Sequence, residues 1–241
     1  MSFLMNCFEG VLGSKPEKVT LHYFPVFAKG PGIALALSFS GLEWEGKFPE
    51  KWPELKPKTP WGELPVLEIP GLGMMGHEAG ILNYIARKCP AMAGANDAEF
   101  ITSQQLCAQS EDIYQKLGKL QNTIMVKDKV SPEVRAAFWM DKDATKHNKD
   151  QGLHVYLSHL ERYYDACKGG GSGKFTSTGT TIGECKLFVT LHCLVLIQPD
   201  VLLPYVGLST FYNHFKGLQE TQELLVSGSK FPGPFNQYFV A

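Results

Sequence analysis

VTLHYFPVFAKGPGIALALSFSG (19–41), followed by TPWGELPVLEI (59–69) and GHEAGILNYIA (76–86), decides how this chain is read. VTLHYF alternates in the strand manner, and Pro25, which can donate no ladder hydrogen bond, stops it. From Pro31 to Ser40 the sequence has Pro at a possible first helical position, Ala and Leu content suited to a helix, and Gly41 as the stop. LEWEG (42–46) is a second strand. Pro49, Pro53, Pro57 and Pro60 then rule out a long helix before Trp61. PVLEI is a third strand, and the turn PGLG leads through MMG, the last strand of a hairpin, to a helix that starts near Glu78 with Ile81, Tyr84 and Ile85 on one face. The order is βαβ-ββα. A Pro just before an apolar strand, with a helix start soon after it, offers free backbone groups and a positive dipole end to a small anionic ligand.

Working outward, residues 1–17 mix Gly, Ser and Pro with a few apolar groups without period, and are expected to be an extension laid on the surface. Residues 18–90 form the first domain, and 91–101, in the Pro-, Gly- and Asn-containing KCPAMAGAND region, the linker. From 102 to 241 strand signals disappear. Helical periodicity runs over about 99–127, 132–167, 182–198 and 208–226, so the second domain is expected to be all-helical. In KGGGSGKFTSTGTTIGE (168–184) the Gly run is a loop, and Thr181 with Glu184 three residues on is a capping box. The helix it opens, CKLFVTLHCLVLI, is apolar on all sides and is expected to be the buried spine of that domain.

With 241 residues, 44% of them hydrophobic and 20% charged, the chain can bury a full core. A net charge of −1 gives no field that would concentrate nucleic acid or an anionic membrane, so small molecules are the expected partners. No stretch is apolar for the ~18 residues that span a bilayer, and the start MSFLMNCFEGVLGSKPE lacks signal-peptide or transit character. Cys7, Cys89, Cys107, Cys167, Cys185 and Cys193 show no CxxC or metal-ligand spacing, and are expected to be reduced thiols in a cytoplasmic protein. His147, His154 and His159 are not spaced as metal ligands on one helix face, so no metal is expected. No GxSxG, GxxxxGK or GxGxxG stands in a strand-turn-helix context.

A βαβ-ββα unit with a strand-leading Pro, then a helical domain whose central helix opens on a Thr capping box, resembles the cytosolic glutathione transferases. LHYF, ELPVLEI and ILNYIA look most like the tyrosine-using alpha, mu and sigma classes, over residues 18 to 226. The resemblance implies a thioredoxin-like first domain and glutathione as co-substrate. It implies that Tyr23 donates a hydrogen bond to the glutathione sulfur, favouring the thiolate of a thiol that ordinarily titrates near 8.5. Pro65 matches the family's cis-proline and, with Glu63 and Leu64, would hold the cysteinyl backbone. Trp52 and Lys56 match the pair around the glycine carboxylate. Lys29 stands where these classes carry an arginine, and its ammonium is a point charge that lacks the planar fork of a guanidinium. Asp112 falls near an acidic position that reaches across a dimer interface to the ligand amine.

His77 and Glu78 replace the Gln or Glu and the Ser or Thr that bind the γ-glutamyl carboxylate. Glu78 is expected either to oppose that carboxylate or to fold onto its own helix start, and both weaken glutathione binding. Trp61 sits where alpha and mu members place an aromatic key for the partner subunit, which implies a homodimer. Phe27, Tyr114 and the tail aromatics Phe231, Phe235 and Tyr238 would wall an apolar second-substrate site. The function implied is glutathione S-transfer to hydrophobic electrophiles, with a sigma-like isomerase sharing the same first half. The alternative is a non-catalytic protein of this fold, serving as a hydrophobic-ligand carrier or assembly subunit. A glutaredoxin-like reading lacks its nucleophile, since no Cys lies between Cys7 and Cys89.

Overall fold

A computed structural model describes residues 18–125, 129–147, 150–167 and 172–240. The extension 1–17, with Cys7, lies outside the described residues. The first half follows the expected order closely. Strand β1 (Val19–His22) is followed by a two-residue strand β2 (Val26–Phe27), then α1 (Lys29–Ser40) and β3 (Trp44–Lys47). The proline-rich segment holds only one turn of helix, α2 (Trp52–Leu55), and a 3-10 turn at Lys56–Lys58. The hairpin β4 (Val66–Ile69) and β5 (Gly73–Gly76) precedes α3 (Glu78–Lys88).

The sheet order is β3-β1-β4-β5. β1 runs parallel to β3, with Val19 opposite Trp44, and antiparallel to β4, with Leu21 opposite Leu67. The parallel pair needs a crossover, which α1 supplies. α1 is buried from Gly30 to Leu37 because it lies between α3 and the second half of the molecule.

The helical half contains α4 (Asp97–Leu120), α5 (Pro132–Met140), α6 (Leu153–Ala166), α7 (Ile182–Ile197), α8 (Val206–Lys216) and α9 (Gln219–Ser227). Residues 97–101 of the stretch expected as linker already belong to α4, whose start Asn96 caps. α7 is the spine its composition implies, in contact with α1, α3, α4 and α8, and its capping box is complete. Two small ladders depart from the all-helical expectation. β6 (Asn122–Thr123) pairs with β8 (Phe239–Val240), and β7 (Asn236–Gln237) pairs with β2. The tail thus returns across both halves. Phe231 lies on Gly46, where a Cβ would stand 2.4 Å from its ring, and Phe235 packs against Phe27 and Phe48. Among the described residues no helix is long and apolar enough to cross a membrane.

Candidate functional site

Tyr23 leaves the end of β1 with its backbone N–H donating to the Lys47 carbonyl at 3.1 Å, which fixes the side chain beside the start of α1. Its hydroxyl accepts the Lys29 backbone N–H at 2.9 Å. The ring lies flat on Gly30, where a Cβ would meet it at 2.1 Å, so this position can carry no side chain while the ring stays in place. Burial pushes the phenol pKa up, against the Lys29 N–H, and the nearby Glu78 charge pushes it further. The hydroxyl therefore keeps its proton at neutral pH. With its oxygen occupied by an amide donor, that proton is free to be given to a ligand.

The hydroxyl opens on a groove of about 400 Å³. One wall is Glu63, Leu64 and Pro65, with the Leu64–Pro65 peptide cis, and another is His77 and Glu78 at the start of α3. Lys29 and Tyr114 line it beside Tyr23, and Val26, Met125 and Tyr238 add apolar and aromatic surface. His77 precedes α3 at φ 64°, a conformation that L side chains avoid; among the described residues no side chain caps that helix start, which borders the groove through His77 and Glu78. The His77 ring lies between Glu63, whose carboxylate is 3.4 Å away, and Trp61, 5.4 Å away between ring centroids.

The remaining expected residues are placed differently. Trp52 stands edge-on to Phe24, a groove residue, at 5.4 Å, and Lys56 lies along the loop at Gly62, just ahead of Glu63. Trp61 is 65% exposed. Asp112 is on an outer face of α4, beside Lys116, Lys119 and His159, and does not line the groove. Phe27 also does not line it. Its ring is buried against His192 and Phe235 where the halves meet, so it contributes to the core instead of to an apolar substrate wall. Of the tail aromatics, Phe231 and Phe235 are core and Tyr238 reaches the groove.

Glu78 neither opposes the groove's anion position nor caps its own helix. Its carboxylate turns inward and accepts the Lys186 ammonium at 2.8 Å, and both side chains are 5% exposed. Lys186 also donates to Glu111 at 2.7 Å, and the other oxygen of Glu111 accepts Lys29 at 2.7 Å. Four charges of alternating sign are thus joined across α1, α3, α4 and α7. Burial pushes the Glu78 pKa up and Lys186 resists it, leaving it raised. Burial opposes the charge on Lys186, but the two carboxylates outweigh it. Glu111 is half-buried, yet its ammonium and amide partners hold it down at about 2. Lys29 also lies over the Tyr114 ring, 4.8 Å from its centroid.

Sequence reasoning passed over Lys186, Glu111 and Met125. Lys186 carried a signal, being the one lysine in a helix expected to be the buried spine, where such a charge requires a buried partner. Burial pushes Cys193 and Cys107 up to about 12, so neither is a thiolate nucleophile. Among the described residues no group of three His, Cys, Asp or Glu could hold a metal ion. His154 and His192 are bonded to Tyr205 and Tyr212.

No family model matches the chain. Over 214 residues, 88% of this chain and 97% of the relative, it is 24% identical to the glutathione S-transferase 1 of Ascaris suum. The solved Pi-class glutathione S-transferase of Onchocerca volvulus superposes with a TM-score of 0.69 at 18% identity, over 85% of this chain and 90% of that one. A glutathione S-transferase of the hookworm Necator americanus, described as monomeric, superposes with a TM-score of 0.64 at 15% identity, over 86% and 95% of the two chains. At these identities the structural likeness is one of fold.

Proposed function

We propose that this chain is a cytosolic glutathione transferase and that it transfers glutathione to hydrophobic electrophiles, a reading supported by its similarity to the relative and the folds above. The observation that carries the reading is the protonated Tyr23 hydroxyl, anchored on the Lys29 N–H and lining the same groove as Leu64, Pro65 and the uncapped start of α3. The γ-glutamyl carboxylate would take the α3 N–H groups beside His77, and the cysteinyl backbone would lie along Leu64 and Pro65 next to Glu63. Trp52 and Lys56 would meet the glycine carboxylate. The sulfur then faces Tyr23. Its thiol proton leaves to solvent, the phenolic O–H donates to the resulting thiolate, and the sulfur lone pair attacks the electrophilic carbon as its leaving group departs. Tyr114, Met125, Val26 and Tyr238 would receive the apolar part of that substrate.

The reading carries with it a cytoplasmic location, where the glutathione pool is reduced. It also carries a homodimer, in which the exposed Trp61 finds a pocket on the second copy and Asp112, on the outer face of α4, meets the ligand bound by that copy.

Tyr23→Phe tests the chemistry. Conjugation at pH 6.5 is expected to fall ten-fold or more in kcat/KM, ~1.4 kcal/mol or above, while calorimetric glutathione affinity changes little. Unchanged turnover removes Tyr23 from its role. The carrier reading is favoured by one observation, the ion pair between Glu111 and Lys29, which engages a cation that lines the groove. Ligand binding by the wild type without measurable conjugation would decide for it.

A further inference from the structure

We propose that Lys186, buried on α7 behind the groove, is an electrostatic positioning residue of the thiol site. In this role it cancels the charge of Glu78 beneath Tyr23 and keeps the floor under a bound thiolate neutral. The inference rests on the glutathione reading and adds to it residues that the reading does not use.

Glu78 stands close enough for its charge to act on the Tyr23 phenol, and a Cβ at Gly32 of α1 would touch both its carboxylate and the Lys186 backbone at 3.5 Å. A lone carboxylate there would oppose a second negative charge arriving as a thiolate. Lys186 prevents this by direct contact. The same ammonium holds Glu111, which in turn holds Lys29, so this linked set pairs two cation side chains with two carboxylates. The pair also ties the first turn of α3, with its open N–H groups, to the spine of the helical half.

The groups facing Glu78 can be enumerated element by element. They are Lys29 from α1, Tyr23 from the end of β1, Glu111, Tyr114 and Cys107 from α4, and Lys186 and Cys193 from α7. The cation and carboxylate side chains among them are Lys29, Lys186, Glu78 and Glu111, joined in direct contacts, while burial pushes the phenol and thiol pKa values up. The charge state of this floor is therefore set by two pairs, and removing one member leaves a definite sign.

The test titrates bound glutathione by its thiolate ultraviolet absorbance, with calorimetric affinity alongside. Replacing Lys186 alone would strand a buried carboxylate and risk the fold, so Glu78→Gln is the leading variant. It leaves one uncancelled positive charge, and the ionisation midpoint of the bound thiol is expected to fall by about one pH unit. Adding Lys186→Met to it removes that charge and is expected to return the midpoint to the wild-type value, as is Lys186→Arg alone. A packing defect would reduce turnover or melting temperature without this fall and return. A midpoint in Glu78→Gln that is unmoved or raised overturns the inference, as does a double variant that stays with the single. A wild type that binds no glutathione overturns the glutathione reading and this inference together.

Discussion

Gly30 controls Tyr23 more tightly than any hydrogen bond does. A methyl group there would stand 2.1 Å from Cδ1 and 2.3 Å from Cγ of the ring, so Gly30→Ala must push the phenol off the start of α1. The expected result is a loss of conjugation at least as large as that of Tyr23→Phe, with a stability cost of ~1–3 kcal/mol from overpacking, read by steady-state kinetics and urea unfolding. The effect should be steric, so Gly30→Ala added to Tyr23→Phe should lower turnover little further. Tyr23 and Pro65 were legible in the sequence because each sits in a short phrase with a fixed place in the strand order. Glu78 was legible only as an anomaly. Its partner lies 108 positions away on α7, and nothing local to either residue announces the contact. Phe27 was misplaced for the same reason, since neighbouring a site residue in sequence says nothing about which side of β2 a ring occupies.

Among the helices, α7 shows how a local signal becomes a tertiary one. Glu184, fully buried, accepts the backbone N–H groups of Phe175, Thr176 and Thr181 and the hydroxyls of Thr176 and Thr181, so the cap also fastens the preceding loop. Thr181→Ala is expected to cost about 1 kcal/mol, as an ordinary cap does. Glu184→Ala, which strands several buried donors, should cost on the order of 3 kcal/mol, and chemical denaturation of both variants distinguishes the two. This box was readable because its residues are three apart. The helical periodicity over 132–167 overran, however, and the structure breaks it into α5 and α6. Asp141 accepts the Asp143 N–H at 3.0 Å and Asp143 accepts the Thr145 N–H at 2.9 Å, so side chains take backbone donors that a continuous helix would need. Periodicity does not register that competition.

For the molecule as a whole, the two halves are joined by the tail as well as by the α1–α7 packing. Removing residues 233–241 takes away β7, β8, the Phe235 ring and the Tyr238 wall of the groove. Such a variant is expected to lose on the order of 2–3 kcal/mol for each large ring uncovered, and to raise KM for an apolar electrophile while the glutathione affinity stays near the wild-type value. A melting curve and paired titrations of the two substrates check this. Two-residue ladders carry no periodicity, which is why the tail's path could not be seen in advance. The burial of α1 has one more consequence. A helix that is apolar around its whole circumference has no solvent face to fall back on, so the sheet-bearing half and the helical half cannot be exchanged as modules. A chimaera joined at the connecting segment would have to match the shape of α7 to an α1 it did not evolve beside. Mismatched pairs should then misfold even when each parent is stable.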